Sequence, residues 1–402
     1  MQTKLERLLV LDEYQSVPQV PLSLEQADAI RRTGARLQVR HTGHAGHYDV
    51  RAGNVVGVLV VPGLRIVIRP KIPIARLFYL LGYSSRMPLL GPVAPFGEDQ
   101  DLLESLAPHF TRLLGQALSR GLVREYAEHA AALHAVRGRI DLLELMARQL
   151  GVWPPVPCEF TDHTADTLPN QLMLAATVLL RRLTSSADVA AALGAQEARL
   201  NEVSHIRFPA ARVPSAALDR RHAHCEPAIR MAEIILRHMS IDAHAGSVRS
   251  ASFLVDMNAL YEDFVVAAIG NALSSDGAHR WTKHPKGIYL DETREIRLVP
   301  DAMLKDPNRH PSVVVDAKYK VIDGPLNEDI YQMLAYCTRL RVRHAVLVYA
   351  STPEGEHRLP GGVTIHRVQF DPDGSANALE RRAIEIASFV DSLTRRGRQV
   401  AS

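Results

Sequence analysis

The run Val313-Val314-Val315, followed at once by Asp316-Ala317-Lys318, constrains the fold more than any other stretch of the chain. Three consecutive β-branched residues favour a strand buried on both faces, and such a strand needs neighbours in a sheet and cover above and below it. The flanking sequence supplies both. Strand candidates at Gly287–Leu290 and Ile296–Leu304 precede it, with Ala345–Ala350 and Val363–Phe370 after it. Helical periodicity covers Phe253–Leu273, Glu328–Arg339 and Ala376–Arg395. The order α-β-β-β-α-β-β-α over residues 246–402 specifies a mixed sheet flanked by helices.

Two other regions are expected. Residues 1–90 read as a β-rich domain, with a hairpin of Val55–Val61 and Arg65–Arg69 joined at Pro62-Gly63 and a short apolar helix at Ala75–Tyr83. Residues 91–245 read as mainly helical. Apolar residues at 102, 103, 106, 110, 113, 114 and 117 mark one helix. Pro169–Leu183 marks another, with its proline in the first turn. The Pro- and Arg-containing stretch Arg207–Arg221 reads as a linker or an extended basic arm. The fold class is therefore α/β, α+β over the whole chain, in three expected domains: 1–90, 91–245 and 246–402.

Composition excludes several classes. The 402 residues carry a formal charge of only +3, so the chain is no polycation. Of 47 basic residues 40 are Arg, a bias that suits bidentate phosphate contacts but also arises from genome composition. Three scattered Cys with no CxxC spacing argue against a disulfide scaffold or zinc ribbon and fit a reducing cytoplasm. The start is charged throughout, unlike a signal peptide, and the longest apolar helical stretch is too short to span a bilayer. A cytoplasmic protein with no membrane partner is expected. A GxxxxGK[ST] phosphate loop is absent, so the sequence supplies no nucleotide motor of its own.

The chemistry concentrates on two neighbouring strand candidates. Asp316 and Lys318 are two apart and share one face of their strand. Pro300-Asp301 lies on the preceding candidate, and a hairpin would bring Asp301 beside them. Two converging carboxylates repel unless a cation joins them, and hard oxygen ligands suit Mg²⁺, with Mn²⁺ as the alternative. Such an ion activates water and holds a phosphate, while Lys318 offers positive charge where negative charge develops. Read alone, an Asp-x-Lys is more often a strand-end ion pair of Asp316 with Lys318 or Lys320. Its company favours chemistry. Glu262 precedes it on a helix, and Gln332 and Tyr336 follow, four apart on one helical face.

The arrangement matches the PD-(D/E)xK nuclease superfamily. The chain as a whole resembles the McrC family, the nuclease subunit of McrBC-type modification-dependent restriction systems. The resemblance is carried by Gly57 to Lys71, Gly121 to Tyr126, Arg137 to Asp141, Asp166 to Asn170, Pro300-Asp301, Asp316 to Lys320 and Tyr331 to Tyr336. It implies a metal-dependent DNA endonuclease with Asp301, Asp316, Lys318 and Glu262 as catalytic residues. Asp301, Asp316 and Glu262 would be the metal ligands, with Gln332 and Tyr336 as accessory residues. It implies two partners, an McrB-like AAA+ GTPase and double-stranded DNA, the latter in methylated or unmethylated form. It also implies docking through the N-terminal part, where the Val55–Arg69 hairpin would suit insertion into a ring. The other reading of that hairpin, favoured by the residues alone, is an ordinary β-barrel edge. Lys71, Arg137 and Arg139 are candidate contacts to partner or DNA; Arg137 and Arg139 serve equally well as ion-pair partners of Asp141 or Glu144.

Two further functions stay open on sequence: a nuclease acting alone or with another motor in repair or defence, and a docking module with a silent site. His222-Ala223-His224-Cys225 has no second ligand pair at zinc spacing and reads as a surface cluster. His41, His44 and His47, spaced by glycines, read as a polar loop.

Overall fold

The computed structural model describes residues 7–84, 102–147, 155–244, 247–273, 280–320 and 327–399. The chain divides into two compact units, Met1–Leu102 with Leu254–Ser402, and Leu103–Phe253. The β-rich N-terminal region and the C-terminal α/β region thus belong to one unit. Side-chain and backbone bonds join them. Asn54 Nδ2 donates to Asp256 Oδ1 at 2.6 Å, the Met257 amide donates to the Asn54 carbonyl at 2.8 Å, and Leu254 joins the N-terminal core.

Within this first unit, Arg7–Asp12 runs parallel to Leu64–Arg69, which pairs antiparallel with Val55–Val61. A second sheet orders Ser16–Pro21, His47–Ala52 and Leu37–His41. The hairpin foreseen at residues 55–69 is real, closed by Gly63 at φ +72. It does not project. Val55, Val56, Val58, Leu59, Val61, Leu64, Ile66 and Ile68 are all buried, so both faces are covered. The continuous apolar run, in place of strict alternation, is the signal of such two-sided burial.

The C-terminal sheet has six strands in the order Trp281–Lys283, Ala302–Lys305, Pro311–Lys318, His344–Tyr349, Val363–Gln369 and Gly355–Leu359. Pro311–Lys318, His344–Tyr349 and Val363–Gln369 run parallel, and the remaining pairs are antiparallel. Val313, Val314 and Val315 are fully buried, as their β-branching foretold. Helix Asn327–Leu340 packs Met333, Tyr336 and Cys337 onto Val314, Leu347 and Tyr349. Helix Met257–Ala272 is apolar nearly all round, with Leu260, Tyr261 and Phe264–Ile269 buried.

Two boundaries differ from expectation for local reasons. The helix read from Phe253 begins at Met257, because Asp256 caps it by accepting from the Asn258 and Ala259 amides; residues 253–256 finish the strand Ser247–Asp256. The strand read as Ile296–Leu304 is broken into Arg297–Leu298 and Ala302–Lys305. Pro300 has no N–H to give a ladder, so Val299-Pro300-Asp301 crosses between the two pieces. The edge strands Trp281–Lys283 and Gly355–Leu359 were not foreseen.

The second unit, read as mainly helical, also contains an antiparallel sheet of Glu125–Leu133, Val156–Thr164 and Arg139–Ile140. Its helices include Leu168–Leu183, Ala187–Arg199 and Glu226–His238. Strand Glu125–Leu133 is almost wholly exposed and rich in alanine, so it carries neither apolar alternation nor strand propensity. The Arg207–Arg221 stretch is no free arm, since buried Glu233 accepts from Ser215 Oγ and, at 3.0 Å, from the Ala216 amide.

One side chain locks two of the sequence segments together. Asn170, fully buried, accepts from the Val123 amide at 3.3 Å and donates to the carbonyls of Val123 and Ala165 at 2.8 and 2.7 Å. Asn170→Ala takes the acceptor from the Val123 amide and one donor from each of two carbonyls, Val123 and Ala165, which Thr167 also serves. It should cost about 2–4 kcal/mol, read as a lowered denaturation midpoint of the full chain. An unchanged midpoint would remove this role.

Candidate active site

Asp316 and Lys318 lie on one face of strand Pro311–Lys318, as period-two geometry requires. Asp316 is 1% exposed, and Lys318 Nζ stands 2.6 Å from its Oδ2. That close ion pair is the contact found for the buried Oδ2. Ala302 pairs with Val315, so Asp301 sits one step along the same ladder, level with Asp316. Asp301 is buried too. Its Oδ2 accepts from the Ala317 amide at 2.7 Å, and its carbonyl accepts from the His284 amide at 2.7 Å. The hairpin has therefore brought Asp301, Asp316 and Lys318 together.

Glu262, on helix Met257–Ala272, belongs to the same electrostatic cluster. Burial pushes its carboxyl up to about 7, repulsion from Asp301 adds to the rise, Lys318 opposes it, and Asp316 adds further. Burial and then Asp301 also raise Asp316, against Lys318. Lys318 itself loses solvation, but Asp316 and Asp301 more than restore its charge and raise it. A single ammonium thus faces three crowded carboxyls, whose burial and mutual repulsion favour the protonated forms of Glu262 and Asp316. Among the described residues, no three His, Cys, Asp or Glu groups are already gathered to hold one metal ion.

Gln332 Nε2 donates to the Tyr336 hydroxyl at 2.7 Å, and that hydroxyl donates to the Val299 carbonyl at 3.1 Å. The helix face read from their spacing therefore braces the segment that leads into Pro300-Asp301. Lys71 lies in the same unit. Its amide donates to Glu13 at 2.9 Å, its ammonium lies 5.1 Å from the centre of the Tyr14 ring, and it lines a pocket of about 210 Å³ with Tyr319 and Lys320.

Arg137 and Arg139 belong to the other unit. Arg137 binds Asp162 at 2.9 Å and covers the Phe160 ring, in place of the Asp141 or Glu144 foreseen. Gly138 between them takes φ +70, and a Cβ there would strike the Glu159 carbonyl. The Arg-Gly-Arg motif is thus at least partly a packing requirement. In the His222–Cys225 cluster, His222 pairs with Asp219 at 2.8 Å.

Sequence reasoning missed two residues. His284 holds the Asp301 backbone through its amide, and its ring stands 3.3 Å from Asp263, all from a left-handed backbone at φ +43. Asp329, buried in the first turn of helix Asn327–Leu340, accepts from Lys320 Nζ at 2.9 Å and the Tyr349 hydroxyl at 2.6 Å. So Lys320, an alternative partner of Asp316 on sequence, is committed elsewhere. Only the three-dimensional pairing reveals either residue; an Asp in a helix's first turn carries no distinguishing signal.

The mixed sheet with flanking helices and its buried carboxylate pair define an α/β protein of the kind expected. Residues 50–350 match the family model described as McrBC 5-methylcytosine restriction system component, and the chain belongs to that family. The fold as a whole is shared with a chain of the refined half-complex from a tetradecameric assembly of Thermococcus gammatolerans McrB AAA+ hexamers with bound McrC. The TM-score is 0.60 at 16% identity, over 95% of this chain and 100% of that chain. A chain in the Thermococcus gammatolerans McrBC complex matches at TM-score 0.44 and 17% identity, over 67% of this chain and 88% of that one. No curated protein matches the chain. No helix among the described residues is long and apolar enough to cross a membrane.

Proposed function

We propose that this chain is the Mg²⁺-dependent DNA endonuclease subunit of an McrBC-type restriction system, of the PD-(D/E)xK kind, working with an AAA+ GTPase. The observation that carries the reading is the juxtaposition of buried Asp301 and Asp316 with Lys318. The donor set suits a hard divalent cation: carboxylate oxygens only, with Asp316 Oδ2 buried and faced by the Lys318 ammonium. Asp301 and Asp316 would hold the ion, and Glu262, in the same electrostatic cluster but not gathered with them as a third donor, would have to move to join it. When bound, it supplies charge to the attacked phosphate and acidity to a water. Lys318, which is kept charged by the carboxylates beside it, stabilises the negative charge that builds on the phosphate oxygens. Glu262, raised to about 7 by burial and by Asp301, would give up its proton as it joins the ion. Tyr336 and His284 keep Asp301 at the level of Asp316.

The test is cleavage of methylated and unmethylated duplex DNA by the chain with its GTPase partner, GTP and Mg²⁺. Cutting should stop on chelation and return with Mg²⁺ or Mn²⁺. Cutting that persists with metal removed would refute the reading.

Partner docking falls on exposed surface, and the interior Val55–Arg69 hairpin offers little. Helix Leu142–Ala147 exposes Leu142, Leu143 and Met146 at 63%, 83% and 75%. Apolar side chains this bare on one short element suit a protein partner. Leu143→Asp with Met146→Asp should lower stimulation of the partner's GTP turnover about tenfold, the scale of losing an interface hot spot. Undiminished stimulation would move docking to another surface.

A further inference from the structure

We infer that Asp329 is a positioning residue of this site, one end of a brace that sets Asp301 against the Asp316 strand. The inference rests on the proposed nuclease site for its consequence in activity, but its geometry stands alone.

Asp329 is 5% exposed, and both its carboxylate oxygens are engaged. Lys320 Nζ donates to Oδ1 at 2.9 Å and lies 2.7 Å from Oδ2, and the Tyr349 hydroxyl donates to Oδ2 at 2.6 Å. Both partners adjoin Lys318. Lys320 is two residues further along the chain, and Tyr349 pairs with Lys318 in register across the parallel strands. Asp329 therefore ties the start of helix Asn327–Leu340 to the ends of the two strands beside the catalytic lysine.

Seven residues on, two helical turns along the same face, Tyr336 holds the other end. Its hydroxyl donates to the Val299 carbonyl, two residues before Asp301. One rigid helix thus grips the Lys318 strand end through Asp329 and the Asp301 segment through Tyr336. The bond it protects is the Ala317 amide to Asp301 Oδ2, 2.7 Å, which sets the two carboxylates level. An ordinary structural ion pair would join surface groups. Here a buried carboxylate at a helix start, favoured by the helix dipole, fixes two residues that flank the site.

Helix, strands and carboxylates must move together for the site to loosen. Asp329→Asn keeps an acceptor for Tyr349 and removes the charge that holds Lys320. It should speed hydrogen exchange of the Ala317 amide about tenfold, as a local opening becomes easier, with little change in the global melting temperature. It should also lower kcat for DNA cleavage by about ten- to a hundredfold, the cost of losing support behind a site's ligands, while KM for DNA holds. Asp329→Glu should recover part of both effects, because it restores the charge. Normal Ala317 exchange in Asp329→Asn overturns the inference, whatever happens to cleavage. Faster exchange matched by a general loss of melting temperature also overturns it, because the role is then only structural. Faster Ala317 exchange in a chain whose parent cuts no DNA supports the brace and rejects the nuclease reading instead.

Discussion

Asp316→Ala should reduce DNA cleavage by the assembled system by more than about 10³-fold, beyond the loss of a single transition-state donor. Asp316 is the most buried of the three carboxylates and the one paired directly with Lys318. Removing it leaves Asp301, already engaged by the Ala317 amide, and Glu262 to hold a doubly charged ion. The variant should fold, since burial and Asp301 both disfavour the Asp316 charge in the free protein and no folding contact depends on that charge beyond Lys318. DNA binding should persist, because phosphate contacts by basic residues are separate from the metal ligands. Melting temperature and DNA binding measured beside cleavage distinguish this from unfolding. Parental cleavage by Asp316→Ala would remove Asp316 from the site.

Lys318→Ala should lower the cleavage rate by about 10²–10³, the effect of deleting one preorganised donor to a developing oxyanion. The loss should fall on kcat. Lys318 is held 2.6 Å from Asp316 and is raised by Asp316 and Asp301 together, so it enters the reaction fully protonated. Without it, Asp316 keeps its proton more readily, and a higher Mg²⁺ concentration should be needed for the rate that remains. A rate within about threefold of the parent, well under the tenfold that 1.4 kcal/mol of barrier represents, would mean that Lys318 is only a strand-end ion pair.

The site was legible where one strand carried it. Asp316 and Lys318 follow from period two, and the Val run guarantees that their strand is central. Asp301 was legible through its spacing, although the proline before it broke the expected strand and made Asp301 a residue between strands. Gln332 and Tyr336 followed from helical spacing, but the target of the Tyr336 hydroxyl, the Val299 carbonyl, needs the fold. His284 and Asp329 were invisible, because each acts on a residue far off in sequence or on a neighbouring strand.

The same division holds for the fold. The C-terminal order of helices and strands was readable because burial imposes periodicity, and the edge strands escaped because exposed strands need none. The alanine-rich strand Glu125–Leu133 is the clearest case, since its pairing with Val156–Thr164 rests on the backbone ladder and on ring contacts of Tyr126 with His163 and His129 with Phe160, which need no apolar alternation. The Val55–Arg69 hairpin was found, but its place in the interior was not read, although the unbroken apolar run carries the signal of burial on both faces.

The central claim is that Asp301 and Asp316, beside Lys318, hold the divalent ion that cuts DNA. Its most direct test is the location of Mn²⁺ by anomalous diffraction from crystals of the full chain. An anomalous peak is expected against the Asp301 and Asp316 carboxylates, on the side of Lys318, and the peak should vanish in crystals of Asp316→Ala. Mn²⁺ bound elsewhere, with both carboxylates bare and Lys318 still on Asp316, would contradict the claim.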